Sequence, residues 1–335
     1  MQRGGLRIEK SINNSGNILN LRQIPEVKEK NYIVKLKELD GDAPKEFIKL
    51  YNYEEDSSVR AKSSSSWPSY IAKTAEKWYP HESVIEYLIN RIGEVIGLNM
   101  NQILLVRIRG QIRFLSRFFL NEDEILIHGA EICGDYLEDR QLARDIAENK
   151  SSSRELFTFE FIKDSIRNVF PQCFEQLLLE LVKLITFDAL VGNNDRHFYN
   201  WGVIDYKKKT SKIPKFAPFY DSARGLLWNF DDENVRNHMK AHNSGAKKVI
   251  RYIENALPRI SCDENTAANH FELVDSLYRL SDEYKEIIID LSSKEKEEKV
   301  LELLKNEFKQ FFIRERYELI VLILVLRFQK IRSIK

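Results

Sequence analysis

Gly192-Asn193-Asn194-Asp195-Arg196-His197-Phe198-Tyr199-Asn200-Trp201-Gly202-Val203-Ile204 breaks a chain that is helical in pattern just upstream of it. The preceding residues 177–191, LLLELVKLITFDALV, carry the apolar period of a buried helix. Downstream, Trp201–Ile204 and Ile213–Phe219 are short apolar runs separated by the polar stretch Tyr206–Lys212, which predicts a small hairpin. The second run leads into Phe216-Ala217-Pro218-Phe219-Tyr220-Asp221. Two carboxylates and an amide, Asp195, Asn200 and Asp221, therefore fall on loops beside short buried strands.

Phosphoryl transfer needs such a set. One carboxylate orients an attacking hydroxyl and accepts its proton, while a second carboxylate and an amide oxygen hold Mg²⁺ on the phosphates. Mg²⁺ prefers hard oxygen ligands and takes only one or two from the protein. An Asp followed five residues later by Asn, with a more distant Asp closing a hairpin, is the kinase arrangement in outline. Each residue alone has a plainer explanation, because Asp and Asn are common turn and cap residues. Their combination with His197 and the hairpin spacing favours the chemical reading. His197 has no second histidine nearby, so a zinc site is not expected.

The first 120 residues are mixed in pattern. Asn31–Glu38 alternates as a strand does, Phe47–Tyr53 reads as a strand or short helix, and Ser69–Ala75 as a short strand. His81–Leu98 has helical spacing, and Ile103–Leu120 reads as two strands around Arg109-Gly110-Gln111. From about residue 136 the pattern turns helical, with Leu137–Glu148, Glu155–Val169 and Cys173–Val191, and later one long helix from about Lys294 to Ile331. A small strand-rich lobe, residues 1–120, followed by a larger helical lobe, residues 121–335, leaves a cleft for a ligand.

Composition narrows the class. With 43% apolar residues, the 335-residue chain can bury a substantial core, and 31% charged residues fit a soluble protein. Basic and acidic residues nearly cancel at +1, so no whole-chain footprint for nucleic acid is expected. Cys133, Cys173 and Cys262 are few, odd in number and far apart, which fits a reducing cytoplasm better than a disulfide framework. The N-terminal residues lack a signal-peptide pattern, and the longest apolar run, Leu319–Leu326, is too short to cross a bilayer; no membrane partner is expected.

The stretches GNNDRHFYNWGVI and FAPFYDSARGLL resemble the HipA-like kinases, whose pattern is approximately N-x-D-x-H-x-x-N, a short hairpin, then P-x-(Y/F)-D. The chain is similar in layout to their compact subgroup, which lacks an extra N-terminal subdomain, and the resemblance runs from about residue 60 to 230. It implies a bilobal, protein-kinase-like α+β fold and an ATP- and Mg²⁺-dependent serine/threonine-protein kinase. Carried over, Asp195 is the catalytic base, Asn200 and Asp221 are the Mg²⁺ ligands, and His197 supports the loop. Lys73, in Tyr70-Ile71-Ala72-Lys73, matches the strand lysine that contacts ATP phosphates, with Glu86 as its ion-pair partner. Lys35 and Lys49 are rival strand lysines.

The family also implies a loop over the ATP phosphates, occupied here by Ser63, Ser64, Ser65 and Ser66, where kinases often use glycine. These serines are candidate nucleotide contacts and autophosphorylation sites; as plain sequence they read as a flexible linker. The implied partners are a protein substrate and, if the chain is a bacterial toxin or effector, an antitoxin. Two other readings stay open: a small-molecule or lipid kinase, and a pseudokinase acting as an interaction scaffold.

Overall fold

The computed structural model describes residues 18–35, 45–51, 63–75, 79–208 and 211–334. Tyr32–Lys35 (β1), Lys45–Leu50 (β2), Ser69–Lys73 (β3), Ile103–Ile108 (β4) and Gln111–Arg117 (β5) form an antiparallel sheet in the order β1-β2-β3-β5-β4. β4 and β5 meet at Arg109-Gly110, where both residues have positive φ, 51° and 76°, as a type I′ turn requires. β3 is central: Lys73 stands opposite Lys45 on one side and Phe114 on the other.

Side chains alternate across β3. Tyr70 and Ala72 enter a small core with Ile48, Leu50, Val106, Ile108 and Leu115. Ile71 and Lys73 point to the other face, where the helix α1 (Glu82–Val95) packs through Val84, Ile85, Leu88, Ile89 and Ile92. The register of one strand thus places a lysine against a helix.

A second antiparallel sheet, β6-β7-β8, joins Glu124–His128 (β6), Gly202–Tyr206 (β7) and Lys215–Phe216 (β8). The remainder is helical: Gly129–Leu137 (α2), Arg140–Glu148 (α3), Lys150–Leu156 (α4), Phe159–Val169 (α5), Phe174–Val191 (α6), Asp232–Asn243 (α7), Lys248–Glu254 (α8), His270–Leu280 (α9), Asp282–Leu291 (α10), Lys294–Leu303 (α11) and Arg314–Arg332 (α12). The architecture is the bilobal α+β arrangement, with a small strand-rich lobe and a large helical one.

Several boundaries differ from the sequence pattern. Strand β6 and helix α2 precede the region read as helical. Helix α3 starts at Arg140, because Asp139 caps it by accepting from Leu142 N. The stretch Glu155–Val169 splits at Thr158, which caps α5 by accepting from Phe161 N. The long C-terminal helix is two helices, parted by a π turn over Leu304–Phe308 and a 3-10 turn over Lys309–Phe311. No Gly or Pro marks that break; the chain turns there so that Phe308, Phe311 and Phe312 can bury, and Phe311 O accepts from Leu19 N at 3.0 Å. Leu319, Ile320, Ile323 and Leu324 are buried in α12, and among the described residues no helix is long and apolar enough to cross a membrane. All three cysteines are free and buried.

Candidate active site

Lys73 Nζ donates to two carboxylates at once, Glu86 Oε1 at 2.8 Å and Asp221 Oδ1 at 2.8 Å. Strand β3 supplies the lysine, α1 the glutamate, and the segment after β8 the aspartate. Burial disfavours the ammonium, but the two carboxylates outweigh it and raise the Lys73 pKa. The carboxylates respond differently. Burial, with the Asp221 charge adding to it, pushes Glu86 up to about 7 against the pull of Lys73. For Asp221 burial acts in the same direction, yet Lys73, Lys45 and Arg196 together lower its pKa. The side chain of Asp221 is also far more open, 38% exposed against 3% for Glu86. One ammonium therefore serves two acids, and the surrounding cations favour the ionised form at Asp221 more than at Glu86.

The loop from Asn193 to Asn200 follows α6, which ends at Gly192 in the left-handed region (φ 68°). A Cβ there would lie 2.6 Å from the Arg327 guanidinium, so glycine is required twice over. Arg196 is the hub of the loop. Its guanidinium grips Asp188 on α6 with two bonds, Nε–Oδ2 at 2.9 Å and Nη2–Oδ1 at 2.8 Å. Nη1 donates to the Asn200 and Tyr220 carbonyls at 3.1 and 2.6 Å, and Nη2 to Ser222 Oγ at 2.8 Å. One buried arginine thus fixes the Asn200 end of the loop beside the segment that carries Asp221. Burial opposes its charge, and Asp188 more than restores it.

Smaller contacts finish the loop. His197 N donates to Asp195 O at 2.7 Å, and the His197 ring stacks on Tyr199 with centroids 5.5 Å apart. Burial and the nearby Arg259 lower the His197 pKa, favouring a neutral ring. Phe198 and Trp201 are fully buried, as core anchors. The Tyr220 hydroxyl donates to Tyr199 O at 3.0 Å. Asp221 itself sits at φ 53°, a left-handed conformation that Asp tolerates better than most residues.

Both oxygens of Asp195 are engaged. Arg259 donates to Oδ1 through Nε at 3.0 Å and Nη2 at 2.8 Å, and Arg224 Nε stands 3.3 Å from Oδ2. Lys150 Nζ donates to Asn194 O at 3.1 Å and Leu257 O at 3.0 Å, tying the loop to the segment that carries Arg259. Burial and Arg259 lower the Lys150 pKa.

The donor set suits Mg²⁺. Asn200 Nδ2 is committed to Asp195 O at 3.3 Å, so the atom left for a cation is the amide oxygen. Asp221 offers a carboxylate on the neighbouring segment, whose Tyr220 carbonyl shares Arg196 Nη1 with the Asn200 carbonyl. Both are hard oxygen donors, and a nucleotide-borne Mg²⁺ needs no more from the protein. Among the described residues, no group of three or more His, Cys, Asp and Glu side chains converges as metal ligands.

The four serines form a tight turn before β3. Ser66 N and Oγ both donate to Ser63 O, at 3.1 and 2.8 Å, the Ser63 and Ser65 hydroxyls are 2.8 Å apart, and buried Trp67 anchors the end. Lys49 Nζ donates to Ser65 O at 2.9 Å, which engages that rival lysine with the turn. Lys35 is exposed on edge strand β1. Of the three strand lysines, Lys73 is the one that meets Glu86 and Asp221.

Sequence reasoning missed Arg196, Arg224, Arg259 and Lys45. Arg196 and Arg224 lie inside the quoted motifs, and their charge beside two acidic residues was a usable signal. Lys45 becomes visible only through its register opposite Lys73. Arg259 lies 64 residues from Asp195, and nothing local marks it.

Comparison with known proteins agrees with this architecture. The model of the HipA-like C-terminal domain matches residues 37–291. The Helicobacter pylori proinflammatory kinase CtkA has a similar solved structure, with TM-score 0.70 and 16% identity over 92% of this chain and 96% of that one. HipA of Shewanella oneidensis MR-1, solved with HipB and operator DNA, aligns at TM-score 0.48 and 11% identity over 79% of this chain and 58% of that one. No curated protein matches in sequence. With a family match that spans most of its length and the kinase-like fold of CtkA, the chain belongs to the HipA-like family.

Proposed function

We propose that the chain is an ATP- and Mg²⁺-dependent protein kinase that transfers the γ-phosphate to serine or threonine hydroxyls. The observation that carries this reading is the Lys73–Glu86–Asp221 contact, with both bonds at 2.8 Å, beside a loop that presents Asp195 and Asn200. Lys73 neutralises and fixes the nucleotide phosphates, and Glu86 orients it. Asn200 and Asp221 would hold Mg²⁺, which supplies charge neutralisation on the phosphates when bound. Asp195 orients the acceptor hydroxyl and takes its proton. Lys45, facing the same side as Lys73, adds a second cation near the phosphates.

A protein acceptor, as against a lipid or small molecule, rests on family membership, and so do a toxin role and an antitoxin partner. The complete Asp195/Asn200/Asp221/Lys73 set favours catalysis over a scaffold role. The test is incubation of the purified chain with γ-labelled ATP and Mg²⁺, with and without a cytosolic lysate, followed by phosphoamino-acid analysis. Label on phosphoserine or phosphothreonine supports the reading; label confined to lipid or small molecules would replace it with the alternative.

A further inference from the structure

Residues 234–253, NVRNHMKAHNSGAKKVIRYI, hold five Lys and Arg and no Asp or Glu, in a chain whose charges nearly cancel at +1. They form the helical hairpin of α7 and α8. Arg236, Lys240, Lys247, Lys248 and Arg251 are all exposed. Arg236 and Lys240 lie one turn apart on α7, and Lys248 and Arg251 one turn apart on α8, so each pair shares a helix face. Burial, and Lys248 beside it, lower the His238 pKa, which brings the basic end of α8 close to α7. Arg236 stands 3.8 Å from Glu315. The other four cations make no ion pair among the described residues. The flanking acids do not neutralise them: Arg316 holds Asp232 at 2.9 Å, and Lys330 holds Glu254 at 2.6 Å.

The inner face of the hairpin is committed to the core. Val235, Val249 and Ile253 are buried, and Phe230 packs on His238 and Tyr252 with ring centroids 4.8 and 5.4 Å apart. Leu227 N donates to the Tyr252 hydroxyl at 3.0 Å, and Arg327 Nη2 donates to Ile253 O at 3.2 Å. The outer face is left with fixed, uncompensated positive charge. We propose that this face is a docking surface for an acidic segment of a partner protein. Carboxylates spaced along such a segment complement ammonium and guanidinium groups that no internal acid neutralises. Nucleic acid is a poorer match. Bases need aromatic platforms, and the hairpin exposes no Phe, Tyr or Trp. A chain of net charge +1 also lacks the broad basic field of a nucleic-acid binder. Docking of this kind needs neither nucleotide nor phosphoryl transfer, so the inference stands apart from the kinase reading.

The test is fluorescence anisotropy of the full chain with labelled probes: a Glu/Ser peptide, a Lys/Ser peptide of the same length and a single-stranded RNA oligonucleotide. Wild type should bind the Glu/Ser peptide and not the Lys/Ser peptide, and the affinity should fall as salt screens the exposed charges. Reversing the four unpaired cations together, Lys240→Glu, Lys247→Glu, Lys248→Glu and Arg251→Glu, should weaken binding by at least about tenfold. The milder pair Lys247→Gln and Lys248→Gln should fall between. A control with the same change in net charge, Arg22→Glu, Lys28→Glu, Lys30→Glu and Lys305→Glu, should stay within about threefold of wild type. All of these side chains are exposed, and circular dichroism checks that each variant folds. Binding by the hairpin variants equal to wild type, an equal loss in the control, or no binding of the Glu/Ser peptide by wild type would each overturn the proposal. RNA bound more tightly than the peptide, and lost in the same hairpin variants, would overturn it in favour of a nucleic-acid partner.

Discussion

Arg196 and Asp188 form a two-bond ion pair under the loop that carries Asp195, with the Arg196 side chain 2% and the Asp188 side chain 4% exposed. Both the Asp195 loop and the Asp221 segment hang on that guanidinium. Arg196→Ala should leave the Asp188 carboxylate buried and unpaired, at a cost of about 3–5 kcal/mol. Arg196→Lys keeps the charge but loses the fork and should fall between. Urea denaturation measures both. A loss near zero for Arg196→Ala would show that the loop is held by other contacts.

Glu86 makes stability depend on pH in an unusual direction. Burial raises its pKa from the usual 4.5 to about 7. The folded chain then binds a proton that the unfolded chain has already released, so the contribution is complete below about pH 4.5 and disappears as pH rises through 7. The difference amounts to roughly 3 kcal/mol at most. Glu86→Gln removes this slope. Melting curves at several pH values should show wild type losing stability relative to Glu86→Gln as pH rises from about 5 to 8. Wild type gaining on the variant over that interval would mean that Glu86 is ionised throughout.

The parts of the site visible in the sequence are those whose chemistry sits on loops between strongly patterned elements. Asp195, Asn200 and Asp221 interrupt helix and strand periodicities, so they stand out without a structure. Lys73 was reached through its match to the family's strand lysine, with Lys35 and Lys49 as rivals; the β3 register then puts it on the face opposite Tyr70 and Ala72. The π turn at Leu304–Phe308 was not, because the apolar period runs through it and the turn is set by Phe308, Phe311 and Phe312 packing elsewhere. Arg259 and Lys150 reach the Asp195 loop only through tertiary contacts, which no local pattern records. Arg60 and Lys62, the basic neighbours that would pair with a phosphoserine at Ser63–Ser66, lie outside the described residues.

Lys73 and Asp221 should separate nucleotide binding from metal binding. Lys73→Ala removes the ammonium that the β3 register brings to the cleft and leaves Glu86 buried without it. It should raise the KM for ATP and lower kcat, together by at least about tenfold in kcat/KM. Asp221→Asn removes one ligand charge and should weaken Mg–ATP binding while sparing metal-free nucleotide binding. Calorimetric titration with ATP, with and without Mg²⁺, distinguishes the two. Equal Mg²⁺ dependence in Asp221→Asn and wild type would remove Asp221 from the metal site.

Ser63–Ser66 should include an autophosphorylation site. The turn is compact, with Lys49 already donating to Ser65 O at 2.9 Å. A phosphoserine adds about −1.5 to −2 charges at neutral pH and would compete with that packing and repel the ATP phosphates. Mass spectrometry of wild type beside Asp195→Ala, after incubation with Mg–ATP, should find phosphate on this turn in wild type alone. An unmodified turn in a demonstrably active wild-type chain rules the site out.

The most direct measurement is single-turnover phosphoryl transfer by wild type and Asp195→Asn, with folding of both checked by circular dichroism. The amide keeps the shape and one acceptor oxygen for Arg259, but its NH2 cannot accept from Arg224 or take a proton. If Asp195 is the base of an Mg–ATP-dependent kinase, wild type transfers label only with Mg²⁺ present, and Asp195→Asn is slower by at least about 10²–10⁴-fold at unchanged nucleotide affinity. A folded Asp195→Asn chain that transfers phosphate at the wild-type rate would contradict the account.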